Sequence, residues 1–137
     1  VALVHGLIPH EHGKVDAPIG RNPKDRQSMA VTRTNSKEAV TNFTVLKRYN
    51  AMSLIECRLE TGRTHQIRVH MSYIGYPVYG DPKYGYRKDD FSHGQFLHAK
   101  KLGFIHPTTQ KYMEFESPLP DYFQAKLDEL QEELKDE

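Results

Sequence analysis

Leu59-Glu60-Thr61-Gly62-Arg63-Thr64-His65-Gln66-Ile67-Arg68-Val69-His70-Met71-Ser72-Tyr73-Ile74-Gly75-Tyr76-Pro77 is where the chain declares its local order. A β-like run ends at Gly62, and Ile67, Met71 and Ile74 then recur at i, i+4 and i+7, the spacing of one apolar helix face. Thr64 is expected to cap that helix by accepting a backbone N–H. Gly75 is placed as the residue just past its end, and Pro77 forbids continuation. The order is strand, glycine turn, helix.

Upstream, Val40–Leu46 has the β-branched and aromatic content of a strand, and Ser53–Leu59 alternates in period two. Tyr49-Asn50-Ala51 supplies a hairpin turn between them. Nearer the N-terminus, Val1–Ile8 reads as a short strand broken by Gly6, Pro9–Gly13 as a turn and Lys14–Ile19 as another strand. Arg21–Ser28 reads as a basic loop. Downstream, Phe96–Ile105 and Lys111–Glu116 are strand-like about the turn Pro107–Gln110. Pro118 and Pro120 precede Asp121, a natural cap for a terminal helix whose Phe123, Leu127, Leu130 and Leu134 share one face. Six or seven strands with two helices predict an α+β fold with a mainly antiparallel, mixed sheet.

Composition agrees with one soluble domain: 137 residues, 37% hydrophobic, 27% charged, with a mean hydropathy of −0.71. No stretch approaches the ~18 apolar residues of a membrane span. A single cysteine, Cys57, excludes a disulfide framework and a thiolate zinc cluster, and fits a reducing cytoplasm. His10 and His12, or His65 and His70, are too few for a metal site, and the latter pair projects about 140° apart on a helix. The chain opens on Val1 without an initiator Met, which reads as a piece of something longer. Residues 1–75 carry 11 Lys and Arg against 6 Asp and Glu, whereas residues 121–137 carry 2 against 7. A basic body with an acidic tail permits a polyanionic partner, though such a balance also occurs without one.

Arg63, His65, Arg68 and His70 crowd the head of the middle helix. Arg68 falls at the border of the buried face, close to a helix N-terminus whose dipole opposes a cation. A guanidinium there requires an anionic partner, because an unpaired buried charge is very costly. The residues alone leave open whether that partner is a structural carboxylate or belongs to a functional site. Free N–H groups at Arg63-Thr64-His65 could themselves bind phosphate.

Thr61–His70, followed by Gly75-Tyr76-Pro77-Val78-Tyr79-Gly80-Asp81-Pro82-Lys83-Tyr84-Gly85, resembles the RluA family of RNA pseudouridine synthases, most closely its large-ribosomal-subunit synthase D branch. Leu97-His98-Ala99 and Ser117-Pro118-Leu119-Pro120 match later landmarks, so the resemblance spans nearly the whole chain. It implies an isomerase that converts uridine to pseudouridine in RNA, with ribosomal RNA as partner and neither metal nor organic cofactor. It also implies an Asp nucleophile in an Arg-Leu-Asp motif, a Tyr stacked on the flipped base just before Val1, and Arg68 as the cation that orients and ionises the Asp. Arg63, Thr64, His65, Ile67 and His98 are the implied contacts to RNA or the base pocket. Lys24, Arg26, Lys83 and Lys100 are further candidates for its backbone.

The 137 residues contain no Arg-Leu-Asp. Asp81 is expected to cap a turn rather than to attack. Residues 1–137 therefore read as the C-terminal portion of one catalytic domain, inactive alone, with unpaired sheet edges that favour self-association. The alternative reading is a non-catalytic RNA-binding module.

Overall fold

A computed structural model of the chain describes residues 1–99, 101–105 and 107–135. In chain order its elements are β1 (Ala2–His5), β2 (His12–Asp16), β3 (Ile19–Arg21), β4 (Met29–Val31), β5 (Ser36–Lys37), β6 (Val40–Arg48), β7 (Met52–Leu59), α1 (Gln66–Tyr73), β8 (Lys101–Ile105), β9 (Tyr112–Glu116) and α2 (Asp121–Lys135). A four-stranded sheet runs β1-β7-β6-β2, a three-stranded sheet β4-β3-β5 and a hairpin β8-β9, every pairing antiparallel. The α+β class read from the sequence is the class observed.

The β6–β7 hairpin turns at Tyr49, whose N–H donates to the Met52 carbonyl at 2.8 Å. Its register slips between Val45 and Lys47, leaving Leu46 bulged and exposed. Strand β1 is buried on both faces. Ala2 and Val4 join Phe43, Ile55, Met71 and Val78 on the α1 side, while Leu3 joins Tyr49, Phe96, Phe123, Leu127 and Leu130 on the α2 side. The sheet is thus the middle of three layers, with the two helices supplying the outer ones.

Lys14–Ile19 is not one strand: it divides at Ala17-Pro18 into β2 and β3, because Pro18 has no N–H to continue a ladder. His12 and Gly13, expected in a turn, begin β2. Of Phe96–Ile105 only the second half is a strand; Leu97 forms an isolated bridge to Ala2. Val78 bridges Val4 in the same way, and Leu3 exchanges bonds with Phe96 and Tyr79. The outer edge of β1 is therefore met from within the chain by Leu97, Val78, Phe96 and Tyr79.

Candidate functional site: a carboxylate-held arginine on α1

The entry to α1 is built by a glutamine rather than by the threonine expected as its cap. His65 occupies the cap position with a left-handed φ of 56° and no capping side-chain bond, and Thr64 is exposed. Gln66 does the tying: its Oε1 accepts from Thr61 Oγ1 at 2.7 Å and from the Arg63 N–H at 2.9 Å. Its Nε2 donates to the Val40 carbonyl and to Thr41 Oγ1. Thr41 in turn meets His70 Nδ1 at 2.8 Å, and His70 Nε2 meets the Ala17 carbonyl at 2.8 Å. A carbonyl only accepts, so His70 is the Nε2–H tautomer and Thr41 donates to its Nδ1. Burial holds His70 below the ordinary imidazole range, against the opposing pull of Ala17 and Asp16. This chain of directed bonds clamps α1 onto β6 over about one turn, from Gln66 to His70. At the far end Gly75, at φ 94°, and Tyr76 donate to Ser72 and Met71, the paired bonds of a Schellman stop.

Arg68 projects from the clamped helix with its side chain only 10% exposed, against an Asp81 side chain at 0%. Its Nε donates to Asp81 Oδ2 at 2.8 Å and its Nη2 to Oδ1 at 2.9 Å, a bidentate pair. Nη1 is not used by Asp81. The guanidinium also lies over the Tyr84 ring, 5.1 Å from its centroid. Asp81 Oδ1 accepts the N–H groups of Lys83 at 2.9 Å and Tyr84 at 3.1 Å, so the turn-capping role expected of it is present. Burial alone would raise the Asp81 carboxyl; the bonds from Arg68, Tyr84 and Lys83 outweigh it and hold the carboxyl below the usual range. The bond to Asp81 correspondingly raises the Arg68 guanidinium. The far end of the loop is pinned by Asp89, which accepts from the Gly80 N–H at 3.0 Å and meets His5 Nε2 at 2.8 Å.

An anionic partner for Arg68 is thus present within the chain, in addition to the Asp outside these residues that the resemblance implies. Both Asp81 oxygens are committed to Arg68 and the turn, which leaves Asp81 poorly disposed to attack anything.

The other expected site residues divide. His65 lies beside Arg68, with Nδ1 2.8 Å from the Tyr84 hydroxyl. Arg63 Nε donates to the Glu38 carbonyl at 2.7 Å. Ile67 is half-buried against the apolar cluster of Val4, Met71 and Val78, as a packing residue would be. His98 lies away from this group, outside any strand, 3.2 Å from the Ser117 carbonyl. Lys24 is exposed in the basic loop, and Arg26 helps line a recess of about 270 Å³ with Arg21, Asn22, Pro23, Thr34 and Asn35. Lys83 Nζ donates to the Gln27 carbonyl of that loop at 2.9 Å. Lys100 lies outside the described residues. Tyr76 and Tyr79 pack against the two cores, while Tyr86 stacks on His5. Gln66 and Thr41 are not among the expected site residues. Tyr84, beyond its place in the Gly75–Gly85 string, enters the sequence reading only with Tyr76, Tyr79 and Tyr86, an aromatic cluster expected to pack rather than to stack on a base. Their polar atoms meet residues 25, 29 and 55 positions away, and no local pattern reports such separations.

Among the described residues no group of three or more His, Cys, Asp or Glu could hold a metal, and no helix is long and apolar enough to cross a membrane.

Residues 1–73, from the doubly buried first strand through α1, match the family model described as RNA pseudouridylate synthase; the chain belongs to that family. An uncharacterized RNA pseudouridine synthase of Bacillus subtilis (strain 168), YlyB, is 61% identical over 120 residues, covering 88% of this chain and 39% of that protein. Ribosomal large subunit pseudouridine synthase D of Neisseria meningitidis is 43% identical over 131 residues, 88% of this chain and 35% of its own. Human RNA pseudouridylate synthase domain containing 1 superposes with a TM-score of 0.77 at 27% identity, over 95% of this chain and 63% of that one. The chain spans about two fifths of the length of the curated relatives it matches.

Proposed function

We propose that the protein containing these residues isomerises uridine to pseudouridine in RNA, with large-subunit ribosomal RNA in the cytoplasm as its substrate. In this reading residues 1–137 supply the arginine side of a longer catalytic domain. Arg68 stands beside an aspartate nucleophile contributed by the rest of it. The observation that carries the reading is the half-committed guanidinium. Asp81 occupies Nε and Nη2 and fixes the plane, leaving the Nη1 edge for a second carboxylate. A cation at hydrogen-bond distance lowers the pKa of such a carboxylate and aims it at the sugar or the base. The relatives named as RNA pseudouridine synthases support the reaction, and the synthase D relative supports the ribosomal substrate.

The test is mass-shift mapping of cyanoethylated ribosomal RNA after incubation with the full-length protein. Wild type should add pseudouridine to unmodified RNA. Arg68→Ala should lose about 10²–10³-fold in rate, the scale of one lost preorganised electrostatic donor. Arg68→Lys keeps the charge opposite Asp81 and separates chemistry from folding. Undiminished product from either variant removes Arg68 from the mechanism. RNA binding by the wild type without product leaves a non-catalytic RNA-binding module. The isolated 137 residues should give no turnover; measurable turnover would overturn the division of labour.

A further inference from the structure

His65 and Tyr84 form a pair that the arginine's role does not absorb. The Tyr84 hydroxyl accepts the Met29 N–H at 2.7 Å and lies 2.8 Å from His65 Nδ1. A backbone N–H can only donate, so one lone pair of the phenol oxygen is taken. His65 is the one remaining partner of that hydroxyl among the described residues: a phenolic proton sent to Nδ1 pairs both groups, whereas a protonated Nδ1 would leave the phenolic proton without a partner among them. Burial pushes the Tyr84 phenol up, so it keeps the proton it donates. The ring proton of His65 is then on Nε2, which has no partner among the described residues on a half-exposed side chain. Burial, followed by the positive charges of Arg68 and Lys83, lowers the His65 pKa; Asp81 opposes them.

We propose that Tyr84 is a positioning residue that locks His65 as a neutral Nε2–H donor, aimed at an RNA phosphodiester next to the Arg68 site. This rests on the reading of the protein as an RNA enzyme. An N–H donor in the field of two cations suits an anionic oxygen. A neutral donor reaches phosphate without displacing condensed counterions, which sets this contact apart from that of a lysine. His65 sits at a left-handed φ of 56° at the head of α1, and its side chain makes no capping bond there.

Two measurements on the full-length protein decide it, and neither needs turnover. Long-range ¹H–¹⁵N correlation spectra, assigned with His65→Gln, should show His65 at neutral pH with Nδ1 bare and Nε2 protonated. In Tyr84→Phe, which keeps the ring under Arg68, both tautomers should appear and the imidazole should titrate at higher pH. A protonated Nδ1 in the wild type, or spectra unmoved by Tyr84→Phe, overturns the proposal. The second measurement is affinity for a short uridine-containing RNA hairpin across a salt series. His65→Ala should weaken binding about tenfold, the worth of a hydrogen bond to a charged group, with the salt slope unchanged. Lys83→Ala should flatten that slope by about 0.7–0.9. Single methylphosphonate substitutions along the hairpin should include one at which His65→Ala no longer matters. A flattened slope for His65→Ala, a penalty that survives every neutral linkage, or no binding by the wild type overturns the phosphate assignment. If these expectations hold while no pseudouridine forms, the reaction is what fails.

Discussion

Replacing Asp81 by Asn isolates what the carboxylate does for Arg68. The asparagine carbonyl can still accept from Lys83 and Tyr84, so the turn has its acceptor. The amide nitrogen then faces Arg68 Nε, donor against donor, and the guanidinium loses its counter-charge. Breaking a buried ion pair from one side costs about 3–5 kcal/mol. The Arg68 side chain is 10% exposed with Nη1 not bound to Asp81, so water can reach one edge. The lower end, about 3 kcal/mol, is therefore expected. A pair on the open surface would give at most ~1 kcal/mol. The assay is hydrogen exchange by mass spectrometry on peptides spanning α1 and the 78–85 turn, as a function of urea, in the full-length protein. Arg68→Met added to Asp81→Asn should recover most of the loss, because the stranded charge is gone, giving a coupling of ~2 kcal/mol or more. The Asp81 carboxyl is lowered on folding, so its contribution is complete above the ordinary carboxylate pKa of about 4 and fades as pH falls through its folded value. Wild type should lose local stability on acidification where Asp81→Asn does not. A loss below ~1 kcal/mol, or a double variant no better than the single, would refute the claim that this carboxylate holds a desolvated cation.

Other expectations concern the clamp beneath the site. The His70 pKa is lowered by burial, so the unfolded chain binds more protons, and stability falls as pH drops below about 6.5, the unfolded histidine value. His70→Gln should lose that slope, so the wild-type-minus-variant difference shrinks as pH falls, at a cost of about 1–3 kcal/mol at neutral pH for the disturbed buried bonds. Parallel curves in urea melts between neutral and mildly acid pH would contradict it. Gly80 has φ 76°, and a Cβ there would approach the Gly94 carbonyl oxygen to 2.5 Å. Gly80→Ala should cost upwards of ~1 kcal/mol and raise protease sensitivity of the 80–94 loop; equal cleavage rates in a limited-proteolysis time course would show that the loop can give way.

How far the residues foretold this arrangement depends on the range of the contacts. The β6–β7 hairpin, α1 with its Gly75 stop and the buried stripe Phe123-Leu127-Leu130 of α2 were all legible, because period and punctuation are local. Arg68 was legible as a cation in need of an anion for the same reason. Its partner was not: Asp81 had a sufficient local explanation as a turn cap, which concealed its second pair of bonds. Thr64 looked like a cap by residue type, yet the tertiary bonds of Gln66 and Tyr84 outweigh that preference. The split of Lys14–Ile19 is signalled by Pro18 alone, and the apolar Val15, Ala17 and Ile19 around it carry the pattern of one continuous strand.

The Arg68–Asp81 link joins residues only 13 apart. Closing so short a loop forfeits little chain entropy. The helix, its stop and the returning turn can accordingly form a self-contained cassette that holds its cation oriented, with the carboxylate already seated. Whatever docks against this face meets a charge already in place, and its own folding does not have to create one.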